Sequence, residues 1–182
     1  MSLALKKEYL PHYTYDEYCQ WEGNWELIDG VPNAMSPQPT GKHQRIAGKL
    51  LIQFDEKLKQ CSRCEVSLPV DWKISETLVI QPDLFVACFD FRNVKFISQT
   101  PVIVVEARAP STREKDLHVK RNIYFKQGVK YYVIIDPEND SYKILQLAGT
   151  DYSEAQTGYD GTFTFSLDND CQVKIDFAKI WT

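Results

Sequence analysis

Two almost continuous apolar runs, separated by one segment of helical pattern, constrain this fold more than any other feature. The runs cover residues 101–107 and Tyr131–Asp136, and the segment between them ends at Gly128. Apolar runs of this length are typical of strands that are buried on both faces of a sheet. A glycine is a frequent terminator of helices. The pattern therefore predicts a strand–helix–strand unit that is parallel and right-handed.

The helix of this unit should begin near residues 111–114, where Ser-Thr-Arg-Glu has the form of a capping box, and should extend to about Gln127. A longer helix is predicted over residues 42–59, because apolar side chains recur there at every fourth position. Between the two helices, the pattern predicts strands over residues 66–74 and 77–88, joined by a tight turn at Ser75-Glu76.

The N-terminal part of the chain has its own local signals. A capping box at Thr14–Glu17 predicts a short helix over residues 15–22. Residues 25–28 and 31–35 form a predicted hairpin around Asp29-Gly30, since both positions of this turn need positive φ angles.

Turn residues and short β patterns dominate after Pro137, including a weak strand near Tyr152. We expect one domain over residues 1–182, which agrees with the chain length. Its fold class is predicted to be α/β (α+β), with a core order α-β-β-β-α-β over about 42–136. A mixed sheet would be flanked by helices, with the N-terminal hairpin before this core and a C-terminal β extension at about 140–182.

Composition and charge limit the possible locations and binding partners of the protein. No apolar run approaches the ~20 residues that span a membrane, and the first ten residues lack the apolar region of a signal peptide. The net charge is −4, which argues against coating of nucleic acid by charge alone. The segment 108–130 nevertheless carries seven Lys or Arg and only two acids. It is either a phosphate-contacting surface or a solvated helix face.

The five cysteines have an odd count and scattered spacing, which does not indicate a disulfide framework. Cys61 and Cys64 form a lone C-x-x-C without the second pair that a zinc site needs. We therefore expect unbridged cysteines and a cytoplasmic location.

Two acids interrupt apolar strands and are the first candidates for chemistry. Glu106 ends the run Val102–Val105, and Asp83 lies in the mostly apolar segment 80–86. Burial of a lone carboxylate is costly unless it binds a cation or a strong hydrogen-bond donor. Carboxylates that converge at one end of a sheet suit Mg²⁺ or Mn²⁺. Alternatively, Asp83 caps a turn after Pro82 and Glu106 pairs with a nearby arginine.

Lys120 follows Leu117 by three residues and precedes Tyr124 by four, so it lies on the apolar face of its helix. It either reaches the two carboxylates and orients an attacking water, or its ammonium extends to solvent. Glu26, in the first hairpin, and His43, at the start of the long helix, are weaker candidates. Each is more often structural when judged alone.

Several short motifs occur in one order along nearly the whole chain, from about residue 13 to the C-terminus. They are Glu26–Gly30, Met35–Pro37, His43-Gln44, Gln81–Asp83, Val104–Glu106, Pro110–Thr112, the Asp116, Lys120, Tyr124 series, Gly128-Val129, and Tyr131 with Asp136-Pro137. In this order and spacing the chain resembles the Uma family of restriction endonucleases, a family common in cyanobacteria. That family is grouped with the PD-(D/E)xK nuclease superfamily.

The resemblance implies a catalytic and metal-binding role for Asp83, the motif aspartate, and for Glu106, the motif (D/E). Arg108 stands at the position of the motif lysine, and the resemblance implies that the role of this lysine is displaced to Lys120 on the following helix. Glu26 and His43 match family positions that border the site.

The substrate-binding candidates are Arg108, Arg113 and Arg121, which belong to the basic segment. The resemblance implies a Mg²⁺- or Mn²⁺-dependent endonuclease that cleaves DNA, with a homodimer as the expected assembly. A nuclease-fold binding module without activity, or a nuclease that acts on RNA, would use the same fold, and the sequence leaves both alternatives open.

Overall fold

The computed structural model describes residues 11–35, 40–61, 63–107, 115–167 and 171–181, with the backbone alone at residues 115–117. The helices in these ranges are α1 Tyr15–Tyr18, α2 Gly41–Leu58 and α3 Lys115–Gln127, with a 3-10 turn at Phe177–Lys179. The strands are β1 Trp25–Ile28, β2 Val31–Ala34, β3 Glu65–Ser67, β4 Asp71–Ser75, β5 Leu78–Ile80, β6 Leu84–Ala87, β7 Phe96–Ile97, β8 Ile103–Ala107, β9 Tyr131–Asp136, β10 Ser141–Ala148, β11 Asp151–Gly158, β12 Thr162–Ser166 and β13 Gln172–Asp176.

The strand–helix–strand unit lies at the centre of the largest sheet. Its strand order is β11-β10-β9-β8-β6-β3, and β8 pairs with β9 in parallel while α3 connects them. All six residues of β9 are buried, as are the first four of β8. The prediction of two buried, parallel strands is therefore confirmed. The mixed sheet and its order in the chain also confirm the predicted α+β class.

The predicted strands 66–74 and 77–88 are each wrong as single elements. Pro69 lies between β3 and β4, and Pro82 lies between β5 and β6. A proline removes a ladder donor, so it interrupts a strand and allows the chain to leave its sheet. The outer halves, β3 and β6, pair in the large sheet, whereas β4 and β5 enter a second sheet of order β2-β1-β5-β4-β7. The tight turn at Ser75-Glu76 is confirmed as the β4–β5 connection.

The two faces of the large sheet bury two separate clusters, because successive residues of a strand point to opposite faces. Ile103, Val105 and Val133 pack with α2 and the β12–β13 hairpin on one face. Val104 and Tyr132 pack with α3 and the second sheet on the other face. The large sheet is thus the middle layer, and the second sheet covers the face that carries α3.

The long helix α2 follows its predicted bounds within one residue. Its buried residues are Ile46, Leu50, Phe54 and Leu58, which recur every fourth position. The Thr40 hydroxyl caps the helix by accepting a hydrogen bond from the His43 amide at 3.2 Å. This cap fixes His43 in the first turn, at the start of the buried stripe.

At the N-terminus, the capping box is confirmed, with the Thr14 amide donating to the Glu17 carboxylate at 2.8 Å. The helix ends at Tyr18 rather than at residue 22, because bonds from Gln20 and Trp21 to residues three positions earlier tighten the chain into a turn. The hairpin is confirmed, with φ angles of 51° at Asp29 and 75° at Gly30. The second capping box, at residues 111–114, lies outside the described residues.

The C-terminal extension is also confirmed as β structure, and β11 near Tyr152 is longer than expected. It covers eight residues, because β10 provides a partner for its backbone groups over almost its whole length. Among the helices that the structure describes, none has the length and apolar composition needed to cross a membrane.

The expectation of unbridged cysteines is wrong for four of the five. Disulfides join Cys61 to Cys171 and Cys64 to Cys88, and only Cys19 is free. The first bridge links residues 110 positions apart. The fold brings the end of α2 next to the start of β13 and the end of β6. Spacing along the chain cannot show such proximity.

Candidate active site

Asp83 and Glu106 meet at one end of the β6–β8 pair. The register pairs Leu84 with Val105, so Asp83, directly before β6, comes opposite Glu106. The Ala107 amide donates a hydrogen bond of 2.7 Å to Asp83 Oδ2, which fixes this carboxylate at the end of β8. The side chains are 19% and 10% exposed, so both acids are largely removed from water.

Lys120 lies on the buried face of α3 and bridges two carboxylates. Its ammonium nitrogen is 3.0 Å from Glu106 Oε1 and 2.8 Å from Glu26 Oε1. Only 11% of the lysine side chain is exposed. Of the two alternatives for Lys120, the structure thus shows the inward orientation, but the two acids that the ammonium contacts are Glu106 and Glu26 rather than the expected Glu106 and Asp83.

Glu26 is more deeply buried than its place in a short hairpin indicates. The residue is 2% exposed, and the amide of Gln81 donates a hydrogen bond of 3.0 Å to Glu26 Oε1. Pairing between β1 and β5 brings the two segments together. Asn33 Nδ2 approaches the other carboxylate oxygen at 3.4 Å. Glu26 is therefore a second, buried anion for the Lys120 ammonium.

His43 reaches the same cluster from the first turn of α2. Its Nε2 lies 3.2 Å from Asp83 Oδ2, the oxygen that also accepts from the Ala107 amide. The hydrogen bond to Asp83 raises the pKa of the His43 imidazole, and this effect outweighs burial, which lowers it. His43 is thus placed to orient Asp83.

Tyr124 belongs to the cluster, although its apolar spacing predicted only a core position. Its hydroxyl donates a hydrogen bond to Glu106 Oε1, and the residue is fully buried. The ring stacks against Trp72 at 6.1 Å and meets Tyr132 edge to face at 5.1 Å. Two sequence signals bear on this role: Tyr124 follows Lys120 by one helical turn, and it belongs to the Asp116, Lys120, Tyr124 series.

The cluster concentrates negative charge in a buried place. Burial raises the pKa of the Glu106 carboxyl to about 7, although the Lys120 ammonium opposes this shift, and the nearby Asp83 and Glu26 add to it. Burial by itself would lower the pKa of Lys120. The carboxylates of Glu106 and Glu26 outweigh burial and raise that pKa above its ordinary value. The ammonium is therefore charged at neutral pH.

The donor set fits a hard divalent cation that retains water. The described contacts of Asp83 and Glu106 use Oδ2 and Oε1, so each acid has a second oxygen that none of these contacts uses. No group of three or more His, Cys, Asp or Glu side chains suited to a metal occurs in the described part of the chain. Two carboxylates, water and a substrate phosphate are nevertheless a common ligand set for Mg²⁺.

Of the three arginine candidates, Arg121 lies in the described part of the chain. Arg121 pairs with Asp151 of β11 at 2.7 Å, and its guanidinium lies 5.8 Å from the centre of the Tyr152 ring. It therefore contacts the edge strand of the large sheet and not the acidic cluster. Arg108 and Arg113 lie outside the described residues.

The fold that carries this cluster also occurs in a solved structure. The structure is similar to that of a "putative nuclease" of the DUF820 group from Anabaena variabilis, with a TM-score of 0.74. The similarity covers 92% of this chain and 97% of the other, at 14% identity, and it shows the fold.

The family assignment comes from the sequence. The chain matches the Uma2 family, described as "Putative restriction endonuclease", over residues 14–174. The protein therefore belongs to the Uma2 family, which confirms the resemblance found in its motifs. None of the curated proteins matches the chain.

Proposed function

We propose that this protein is a metal-dependent endonuclease that hydrolyses DNA phosphodiester bonds at the cluster of Asp83, Glu106 and Lys120. The observation that carries the proposal is the bridge from Lys120 to Glu106, with Asp83 opposite Glu106 in the strand register. Packing alone does not explain a buried lysine between two acids at the end of a central sheet, because the burial of charged groups is costly.

Asp83, Glu106 and the carbonyl of Ala107 would hold Mg²⁺ or Mn²⁺. When bound, such a cation polarises a phosphoryl oxygen and lowers the pKa of a bound water. The Ala107 amide and His43 keep the Asp83 carboxylate in position by their bonds to Oδ2. Tyr124 does the same for Glu106.

Lys120 would contribute a fixed positive charge. Because its pKa is raised, the ammonium does not act as a general base at neutral pH. It is placed instead to orient the attacking water and to stabilise the negative charge that develops on the phosphate. Glu26 holds the ammonium at the site through its contact of 2.8 Å.

The remaining features of the proposal concern the surroundings of this site. Arg108, Arg113 and Arg121 would contact phosphates along the DNA, since arginine binds phosphate with a bidentate geometry. A homodimer would bring two sites to the two strands of a duplex. A cytoplasmic location remains a prediction, and the two disulfides weigh against a strongly reducing compartment.

The test is cleavage of plasmid DNA, single-stranded DNA and RNA by the purified protein, with and without Mg²⁺ or Mn²⁺. Asp83→Asn should lower the rate about a hundred-fold or more, because metal coordination supplies several kcal/mol of transition-state stabilisation. Glu154→Gln is the matched control, since Glu154 pairs with Lys143 on the surface.

Equal rates for the wild type and Asp83→Asn would refute the assignment of the site. No cleavage of any substrate would favour the binding module without activity. Faster cleavage of RNA than of DNA would identify the protein as a ribonuclease that uses the same residues.

A further inference from the structure

A pocket of about 360 Å³ lies beside the N-terminal helix. Its lining includes Tyr15, Tyr18, Trp21, Trp25, Asp71 and Gln81. The volume falls within the range of small-ligand sites, about 300–1,000 Å³. Four of the nine lining residues are aromatic, and Asp71, Gln81 and Lys95 add polar groups, so the lining combines the two kinds of contact that a planar ligand with a polar edge needs.

Trp21 meets two other aromatic residues of the lining at steep angles, whereas Tyr15 and Tyr18 stack at 5.9 Å with 24° between their planes. The ring centroids of Trp21 and Tyr18 are 5.5 Å apart, with 68° between the ring planes. Those of Trp21 and Trp25 are 5.9 Å apart, with 69° between the planes. The indole of Trp25 donates a hydrogen bond of 2.8 Å to the Glu22 carbonyl, which fixes its orientation. Rings that meet at such angles form adjoining walls of a concave surface.

Asp71 supplies a fixed acceptor in this pocket. Its Oδ1 lies 3.0 Å from the Tyr18 hydroxyl and also accepts a hydrogen bond from the Gln81 side-chain amide. A carboxylate accepts hydrogen bonds and donates none. A ligand that matches the pocket therefore has a flat ring and an N–H group at its edge, as a nucleobase does.

The pocket adjoins the proposed active site through Gln81. The side chain of Gln81 lines the pocket, while its backbone amide donates to Glu26 Oε1 at 3.0 Å. Asp83 follows two residues later, a span of about 7 Å at most for an extended chain. Lys95 also lines the pocket and offers a cation to a backbone phosphate. A nucleotide beside the carboxylates would thus have this pocket within reach of its base.

We infer that the aromatic pocket binds one unpaired nucleobase of the substrate strand, stacked on Trp21 with its N–H edge toward Asp71. The inference rests on the proposed function, because it names the substrate element next to the scissile phosphate. Bases in a duplex are not available for such stacking, so the preferred substrate is single-stranded or locally unpaired DNA.

Fluorescence anisotropy without metal tests the pocket directly. A labelled single-stranded octanucleotide and an abasic oligomer of equal length and charge are titrated with the full-length protein in EDTA. The base-bearing strand should bind more tightly by about 5- to 150-fold, the effect of one stacked base. Trp21→Ala should remove this difference and Trp21→Phe should retain most of it. The control Trp181→Phe alters a tryptophan outside the pocket and should change nothing.

Equal binding of the two oligomers to the wild type, or no binding of either, would overturn the inference. So would an unchanged preference in Trp21→Ala. Aromatic cages also bind quaternary ammonium ions. Competition by tetramethylammonium chloride, beyond that of sodium chloride at equal ionic strength, would assign the pocket to such cations instead.

The binding assay and the cleavage assay can fail separately. If cleavage depends on Asp83 but binding shows no preference for bases, the proposed nuclease activity stands and the proposed base-binding pocket is refuted. If binding depends on bases and on Trp21 but no condition gives cleavage, the base-binding pocket is supported and the proposed nuclease activity is refuted.

Discussion

Replacement of Lys120 by methionine should destabilise the protein strongly, and the loss should depend on pH. The lysine is the cation shared by Glu26 and Glu106, whose nearest oxygens are 2.8 and 3.0 Å from its nitrogen. Methionine retains most of the apolar stem and removes the charge. Two carboxylates then stay buried with no ammonium between them.

The magnitude follows from the burial of all three groups. Loss of one partner of a buried ion pair costs about 3–5 kcal/mol, because the remaining charge is uncompensated. For a protein of this size, 1 kcal/mol corresponds to about 2–4 °C in Tm. We therefore expect a decrease of about 6–20 °C for Lys120→Met at pH 8.

The pH dependence follows from Glu106. Its pKa is raised from 4.5 in the unfolded chain to about 7 in the fold, mainly by burial. A group with a raised folded-state pKa contributes stability that is fully present below pH 4.5 and is lost as the pH rises through about 7. Removal of the Lys120 charge raises this pKa further. The cost of Lys120→Met should therefore be smaller at pH 5.5 than at pH 8.

The assay is urea unfolding of the wild type and Lys120→Met at both pH values, without metal. Lys143→Met is the matched control, since Lys143 lies 2.9 Å from Glu154 and both side chains are more than 40% exposed. Such a surface pair contributes about 0–1 kcal/mol. If Lys120→Met costs no more than Lys143→Met, or costs the same at both pH values, the electrostatic account of the cluster is refuted.

Three further predictions concern the site and its support. Tyr124→Phe should lower the unfolding free energy by about 1.5–3 kcal/mol, the contribution of a bond to a charged group, and should lower kcat at saturating Mg²⁺; unchanged urea curves and kcat would contradict it. Magnesium affinity, measured by calorimetry, should rise about tenfold per pH unit up to pH 7 and level off above it, because Glu106 must lose its proton to bind the cation. An affinity that does not change with pH would exclude Glu106 as a ligand. Cys171→Ser should lower Tm under non-reducing conditions only, since it removes the bridge to Cys61, and equal Tm values for variant and wild type would count against that bridge.

The sequence determined the elements that have a strong local signal. The apolar runs of β8 and β9 predict buried strands, because runs of this kind are typical of strands covered on both faces. The four-residue spacing in α2 and the Asp29-Gly30 turn are equally local, and the structure confirms both. Together with the ordered motifs, these elements were sufficient for the fold class and for the family.

The prolines mark a limit of local pattern. Pro69 and Pro82 are visible in the sequence, but periodicity continues across both, and it predicted two strands where four occur. A break in a hydrogen-bond ladder is local, whereas the sheet that each half enters depends on which edges the rest of the fold leaves unpaired. Only the tertiary structure decides that choice.

The residues of the candidate site likewise differ in how far the sequence alone indicated them. The sequence indicated Asp83, Glu106 and Lys120 as candidates, because a charged residue in an apolar stripe is conspicuous. Glu26, a weaker candidate in the sequence, and Tyr124 are ordinary in their own segments, and their places in the cluster come from contacts with other elements of the fold. Glu26 is buried only because the hairpin pairs with β5, and Tyr124 contacts Glu106 only because α3 packs on that face of the sheet.

The cysteines and the aromatic pocket depended on tertiary structure entirely. Cys61 and Cys171 are separated by 110 residues, and their pairing requires α2 to pack against β13. Asp71 and Tyr18 are separated by 53 residues and meet only where the second sheet covers the N-terminal helix. The sequence shows which side chains are present, but the free energy of burying each one depends on segments that are distant along the chain. Their partners are therefore fixed only when those segments pack together.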